Sequence, residues 1–128
     1  NYYGFPASDW RGLKVARHTG GDLVQDPLTV DRTLDLEERD DVHRFLKKHL
    51  PGVTDTPTDH TVCMYTMSPD GHFIIDQCED DPRIVYAAGL SGHGFKFTSA
   101  LGEVLADMAT DTKSPFDLSL FQRSRLKN

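Results

Sequence analysis

The sequence predicts an α+β fold: an antiparallel sheet with a covering helix, followed by a strand and a helix toward the C-terminal end. Three observations carry that prediction. Residues 2–6, 12–18, 61–67 and 72–76 are short β-like segments separated by turn-forming residues. Residues 36–50 instead place apolar side chains at helical spacing. Residues 83–90 are a nearly continuous apolar run that leads through a glycine-containing loop into a second amphipathic stretch.

The first two segments flank the turn Ala7-Ser8-Asp9-Trp10-Arg11-Gly12. In Leu13-Lys14-Val15-Ala16-Arg17-His18 a period of two puts Lys14, Ala16 and His18 together on one strand face. Gly20-Gly21 and Asp26-Pro27 mark a loop. The helix at 36–50 follows Asp35, with Glu38 three positions on, a capping-box pattern. Acids crowd its first turns (Glu37, Glu38, Asp40, Asp41) and bases its last (Arg44, Lys47, Lys48), as the helix dipole favours. Val42, Phe45, Leu46 and Leu50 form its apolar stripe, and Pro51-Gly52 ends it. This helix reads as packing and solubility alone.

A polar loop occupies 53–60. Thr61–Met67 and His72–Asp76 are expected strands around Ser68-Pro69-Asp70-Gly71, a residue set suited to a β-turn. Arg83–Leu90 is expected as a strand buried on both faces. After Ser91-Gly92-His93-Gly94, a helix is expected from about Phe95 to Ala109, with Phe97, Leu101, Val104, Leu105 and Met108 as its stripe. The apolar residues of the tail, Phe116 to Phe121, are expected to fold back onto the body.

The chain has 128 residues, 38% of them hydrophobic, enough for one domain-sized core. Twenty acidic against 14 basic residues leave a charge of −6, which argues against a general nucleic-acid binder. No apolar run approaches the length of a transmembrane helix, and no membrane partner is expected. Two cysteines, Cys63 and Cys78, are too few for a disulfide framework, and reduced thiols in a cytoplasmic protein are the ordinary expectation. The opening Asn1-Tyr2-Tyr3-Gly4-Phe5-Pro6 has no initiating Met and reads as mid-strand, so a piece of something longer is expected.

Two places carry chemistry. Strand, glycine loop and helix around Gly92-His93-Gly94 form the arrangement that presents free backbone N–H groups to an anion. A tight connection that needs glycine for its dihedrals explains the same pattern. Cys63 shares a strand face with Thr61 and Tyr65, and reads either as a small buried hydrophobe or as a thiol nucleophile. Cys78 is assigned no role. The six histidines, His18, His43, His49, His60, His72 and His93, have no metal-ligand spacing, so no metal site is expected.

Together these segments resemble the sarcosine oxidase / N-methyltryptophan oxidase family of FAD-dependent amine oxidases. Val62-Cys63-Met64-Tyr65-Thr66, with Ser68-Pro69-Asp70 and Phe73-Ile74-Ile75-Asp76, is similar to that family's covalent-flavin segment. Ala88-Gly89-Leu90-Ser91-Gly92-His93-Gly94-Phe95-Lys96-Phe97 is similar to its flavin-facing loop. Gly12-Leu13-Lys14 with His18 resembles the strand whose Lys and His line the flavin, and Asp117-Leu118-Ser119, Phe121 and Arg125 resemble the tail.

The resemblance implies that Cys63 bonds to the 8α carbon of FAD and that Gly92, His93, Gly94 and Phe95 lie along its ring. It implies that Lys96 binds the carboxylate of an N-methyl amino acid substrate and also touches the cofactor. Lys14, as a buried cation of depressed pKa, would face the side where oxygen is reduced, and His18 and Tyr65 would line the pocket. Residues 1–80 would belong to the substrate-binding antiparallel-sheet domain and 81–128 to the FAD-binding domain of the intact enzyme.

The family's glycine-rich βαβ unit and its second carboxylate-binding group, an arginine, are absent from this sequence. The isolated chain is therefore expected to be inactive, and its exposed edges to meet a missing N-terminal half or another copy. Leu90 departs from the Phe common among sarcosine oxidases and resembles the tryptophan-type branch, which leaves substrate size open. Two other readings compete: a non-catalytic binding domain derived from the same fold, and a cysteine hydrolase using Cys63. No oxyanion-type motif flanks Cys63 to support the hydrolase.

Overall fold

The structure, a computed structural model, describes residues 1–18, 21–53 and 56–127, so Gly20 and two positions of the expected polar loop lie outside the described residues. It is α+β and divides into two compact units, Asn1–Met64 and Tyr65–Asn128.

In the first unit, β1 (Tyr2–Phe5) and β2 (Lys14–Arg17) pair antiparallel, with Tyr2 opposite Arg17 and Phe5 opposite Lys14. The turn between them closes with the Gly12 N–H donating to Asp9 O at 3.2 Å, and Gly12 takes a φ of +83°, a conformation that glycine enters without strain. Helix α1 (Leu36–His49) begins where expected. The Asp35 carboxylate accepts from the N–H groups of Glu37 and Glu38 at 2.8 and 3.0 Å, satisfying two donors that have no partner inside the helix. Of its stripe, Leu46 is buried, Val42 and Phe45 half-buried, and Leu50 exposed. The stripe lies against the hairpin, where Phe45 stacks on Tyr2 with ring centroids 4.1 Å apart.

In the second unit, β3 (Ile74–Gln77) and β4 (Val85–Ala88) form an antiparallel pair. A 3-10 turn at Phe95–Phe97 leads into α2 (Thr98–Ala109), and two more such turns, Ser119–Phe121 and Arg123–Leu126, follow. Phe73, Ile75 and Val104 are the buried centre, and Leu90, Leu101, Leu105, Met108, Leu118 and Phe121 pack around them. The helical stripe thus faces the sheet as its periodicity predicts. Phe97 lies ahead of α2, in the 3-10 turn, and meets Phe73 edge-on at 5.5 Å. The tail folds back through Leu118 and Phe121, while Phe116 and Leu120 stay exposed.

Three expectations are corrected. Residues 61–67 form no strand; the Thr66 carbonyl accepts from the Ser91 N–H at 3.0 Å, so its hydrogen bonding goes to a loop and not to a ladder. The single sheet of four segments therefore does not form: 2–5 pairs with 14–17, and 74–77 pairs with the apolar run. That run is not buried on both faces either. Val85–Ala88 is half-buried, with α2 on it, and Ile84 is 54% exposed in the turn that its N–H closes onto Asp81 O.

Candidate functional site

The pleat of the first hairpin sorts its side chains. Tyr2 and Arg17, which are paired, face α1. The Tyr2 hydroxyl donates to Asp41 Oδ2 at 2.5 Å, and the Arg17 guanidinium lies 3.4 Å from the same carboxylate and 3.8 Å from Glu38. The Tyr2 hydroxyl, followed by Arg44 and Arg17, holds the Asp41 carboxyl below its usual range; the same bond raises Tyr2.

Tyr3, Phe5, Lys14 and Ala16 occupy the opposite face, by the same register. Tyr3 meets Phe5 and His18 edge-on, each at 6.1 Å, and Lys14 Nζ sits 5.8 Å from the centre of the Phe5 ring. The structure thus brings Lys14 and His18 to one aromatic face. Among the described residues Lys14 is exposed, with the Phe5 ring as its aromatic neighbour. Cys63, in the same unit, is exposed, so the reading of it as a small buried hydrophobe does not hold.

The second unit contains the glycine loop. Ser91 has a φ of +49° and Gly92 one of +75°. A Cβ on Gly92 would lie 2.4 Å from the Tyr65 ring, so Tyr65 rests directly on this backbone. Gly94 differs, since its φ of −75° suits any residue; there the obstacle is the Leu90 side chain, 2.7 Å from where a Cβ would be. His93 turns inward. Its ring stacks on Phe73 at 4.9 Å, its Nε2 is 3.3 Å from Gly71 O, and its N–H donates to Leu90 O at 3.0 Å. Among the described residues, the N–H groups of Gly92, Gly94 and Phe95 have no backbone acceptor. Phe95 is 94% exposed, and Lys96 is exposed with its Nζ 5.5 Å from the Phe97 ring.

Sequence reasoning missed the polar support of this loop. Ser68 and Ser91 are both buried. The Ser91 hydroxyl donates to Gly89 O at 2.9 Å, and the Ser68 N–H donates to Ser91 Oγ at 3.3 Å. The Ser68 hydroxyl donates to His72 O at 2.6 Å, with Asp70 Oδ1 at 3.2 Å. Arg125 then grips Asp70 with two nitrogens, at 2.7 and 3.0 Å, and donates to His72 O at 3.1 Å. That fork holds the Asp70 carboxyl far below its usual range and raises Arg125. The signal available was the S-P-D-G turn; its arginine stands 55 positions away.

The site residues therefore fall into two groups. Lys14, His18 and Cys63 lie in the first unit; Tyr65, Gly92, His93, Gly94, Phe95 and Lys96 lie in the second.

The chain matches a known family and several known proteins. The family model described as DAO, FAD dependent oxidoreductase, matches residues 3–108. Monomeric sarcosine oxidase of Arthrobacter sp. (strain TE1826) is 41% identical over 126 residues, 97% of this chain and 32% of that protein. Monomeric sarcosine oxidase of Bacillus sp. (strain B-0618) is 42% identical over the same shares. N-methyl-L-tryptophan oxidase of Yersinia pestis (strain Pestoides F) is 43% identical over 129 residues, 98% of this chain and 34% of that protein. The chain thus spans about a third of the length of the curated relatives it matches.

Proposed function

The chain belongs to the DAO family of FAD-dependent oxidoreductases, and from that membership we propose that it is the flavin-facing part of an amine oxidase. The proposed reaction oxidises the N-methyl C–N bond of a secondary amino acid, of the sarcosine or N-methyltryptophan type, with O2. It yields an imine that hydrolyses to aldehyde and amine, together with hydrogen peroxide. The observation that carries this reading is the bond from the Ser91 N–H to Thr66 O, with Tyr65 seated on Gly92. It joins the segment that follows Cys63 to the loop that would face the cofactor.

The residues present fit FAD. The Cys63 thiol is exposed, as a covalent link to the 8α carbon requires. Gly92 is exposed and carries no side chain, so a ring can approach its backbone, and Phe95 offers an exposed aromatic face. The N–H groups of Gly92, Gly94 and Phe95, without backbone acceptors among the described residues, are suited to negative charge on a ligand. His93, held by Phe73 and Gly71, fixes the loop from inside.

When bound, FAD supplies the acceptor for the electron pair leaving the N-methyl carbon and the route by which O2 takes it up. This chain's residues bind and orient. The Lys96 ammonium, exposed beside Phe97, takes the substrate carboxylate. Lys14 supplies positive charge on the side of the ring where oxygen reacts, and His18 and Tyr65 line the pocket. Burial of Lys14 and exclusion of water fall to the part of the enzyme that this chain does not span. In the intact enzyme residues 1–80 would serve the substrate-binding domain and 81–128 the FAD-binding domain.

The test is colour. The full-length protein is precipitated with acid. Yellow retained in the pellet, and released to the supernatant by Cys63→Ser, is the expected result. A colourless pellet and supernatant would overturn the oxidase reading and leave a non-catalytic domain of the same fold.

A further inference from the structure

The turn at Ser68–His72 is held from one side and holds the glycine loop on the other. On the first side Arg125 donates to both oxygens of Asp70 (2.7 and 3.0 Å) and to His72 O (3.1 Å). Asp70 in turn accepts from the His72 N–H at 3.1 Å and lies 3.2 Å from the Ser68 hydroxyl. On the second side Ser68 meets Ser91 twice, through its N–H and through its hydroxyl, each at 3.3 Å. Gly71 O meets His93 Nε2 at 3.3 Å, and two residues ahead of Ser68 the Thr66 carbonyl accepts from the Ser91 N–H. Every one of these partners lies in the second unit. Ser91 holds a positive φ of +49°, unusual for a residue with a side chain, so its conformation depends on the bonds around it.

We propose that Arg125 is a positioning residue for the glycine loop: through Asp70 it fixes the Ser68–His72 turn, which sets Ser91 and His93 and so the backbone of Gly92–Phe95. The consequence for catalysis rests on the oxidase reading; the structural coupling does not. A guanidinium is needed because two carboxylate oxygens and one carbonyl are bonded together, a fork that an ammonium cannot reproduce. Buried polar links such as Ser68 to Ser91 transmit the constraint, since neither hydroxyl can exchange its partner for water without the turn moving.

The experiment uses the full-length protein carrying Arg125→Lys, with Asp70→Asn as a second variant that breaks the same fork from the other end. Arg83→Lys, which disturbs only the local pair with Asp81, is the control. Amide hydrogen exchange, read on the flavin-free protein, is expected to quicken roughly tenfold at Ser91 and His93 while Val104 in α2 is unchanged. Equal quickening at all three positions, or none at Ser91 and His93, overturns the proposal. On flavin-loaded protein the pellet should stay yellow, the visible flavin band should shift, and kcat should fall roughly five- to tenfold. A wild-type band and kcat with only a lowered melting temperature would also overturn it. A colourless wild-type protein would sink the oxidase reading alone, because the exchange measurement still decides the coupling.

Discussion

Gly71 and Gly92 offer an internal comparison, since their φ values are +74° and +75° and both lie in the second unit. Placing alanine at either position imposes the same left-handed backbone on an L-residue, about 1–2 kcal/mol. The gain from a less flexible unfolded chain, ~0.4–1 kcal/mol, offsets part of it and is also common to both. The surroundings differ. A Cβ at Gly71 meets nothing within 4 Å, whereas at Gly92 it falls 2.4, 2.5 and 2.7 Å from Cδ2, Cε2 and Cγ of Tyr65. Because Cγ is among them, the ring cannot clear the methyl by swinging its tip. Either Tyr65 leaves its rotamer, at about 0.5–1.5 kcal/mol, or the Thr66–Ser91 bond is loosened, at about 1 kcal/mol. Gly92→Ala should therefore cost about 1–2 kcal/mol more than Gly71→Ala, measured as a shift in urea midpoint at constant slope. Adding Tyr65→Ala should erase that excess, a double-mutant cycle with a predicted sign. Equal costs for the two glycine variants would refute the claim that Tyr65 is seated on this loop.

Three further outcomes follow from the same structure. Val104, 3% exposed among Phe73 and Ile75, loses two methyl groups on Val104→Ala, and the unit should lose about 2 kcal/mol in urea unfolding. Asp35→Ala removes the acceptor of two N–H groups at the start of α1 and should cost about 1 kcal/mol, read as lost helicity and a lower melting point by far-UV circular dichroism. Asp70 titrates below its ordinary value of 3.8, so the stability its ionised form contributes is complete above that pH and fades as pH falls through the depressed folded value. An acid titration should therefore show wild type more stable than Asp70→Asn at neutral pH, with the two curves converging below about pH 4; parallel curves would contradict the fork.

What was legible in the sequence was local. The alternation of Leu13 to His18, the Asp35 cap, the Ser68–Gly71 turn and the stripe from Leu101 to Met108 each need only a few neighbouring residues, and each appears where its pattern placed it. The failures were matters of partnership. Thr61–Met67 has a β-like composition, but such composition reports fit to an extended, half-covered surface and does not name a partner. Here Thr66 and Ser68 spend their backbone groups on Ser91, and no ladder forms. The grip of Arg125 on Asp70 left no trace either, because a fork that spans 55 positions has no periodicity. Lys14 was legible as to its face and not as to its burial, since a face follows from pleat geometry and burial from whatever lies across it.

The motif Ser91-Gly92-His93-Gly94 shows why the structural and the ligand-binding accounts of a glycine loop are not rivals. Ser91 and His93 send their side chains inward, to Gly89 O and to Phe73 and Gly71. Gly92 is glycine because its backbone is left-handed and Tyr65 lies on it; Gly94 is glycine because Leu90 lies where a Cβ would be. All four residues are thus accounted for by folding. Yet with the side chains turned in or missing, what remains outward at Gly92 is backbone, followed by the exposed Phe95 and Lys96. A loop that satisfies itself in this way is free to offer a ligand N–H groups, one aromatic ring and one cation, the set that the proposed flat anionic ring with a carboxylate substrate beside it would use.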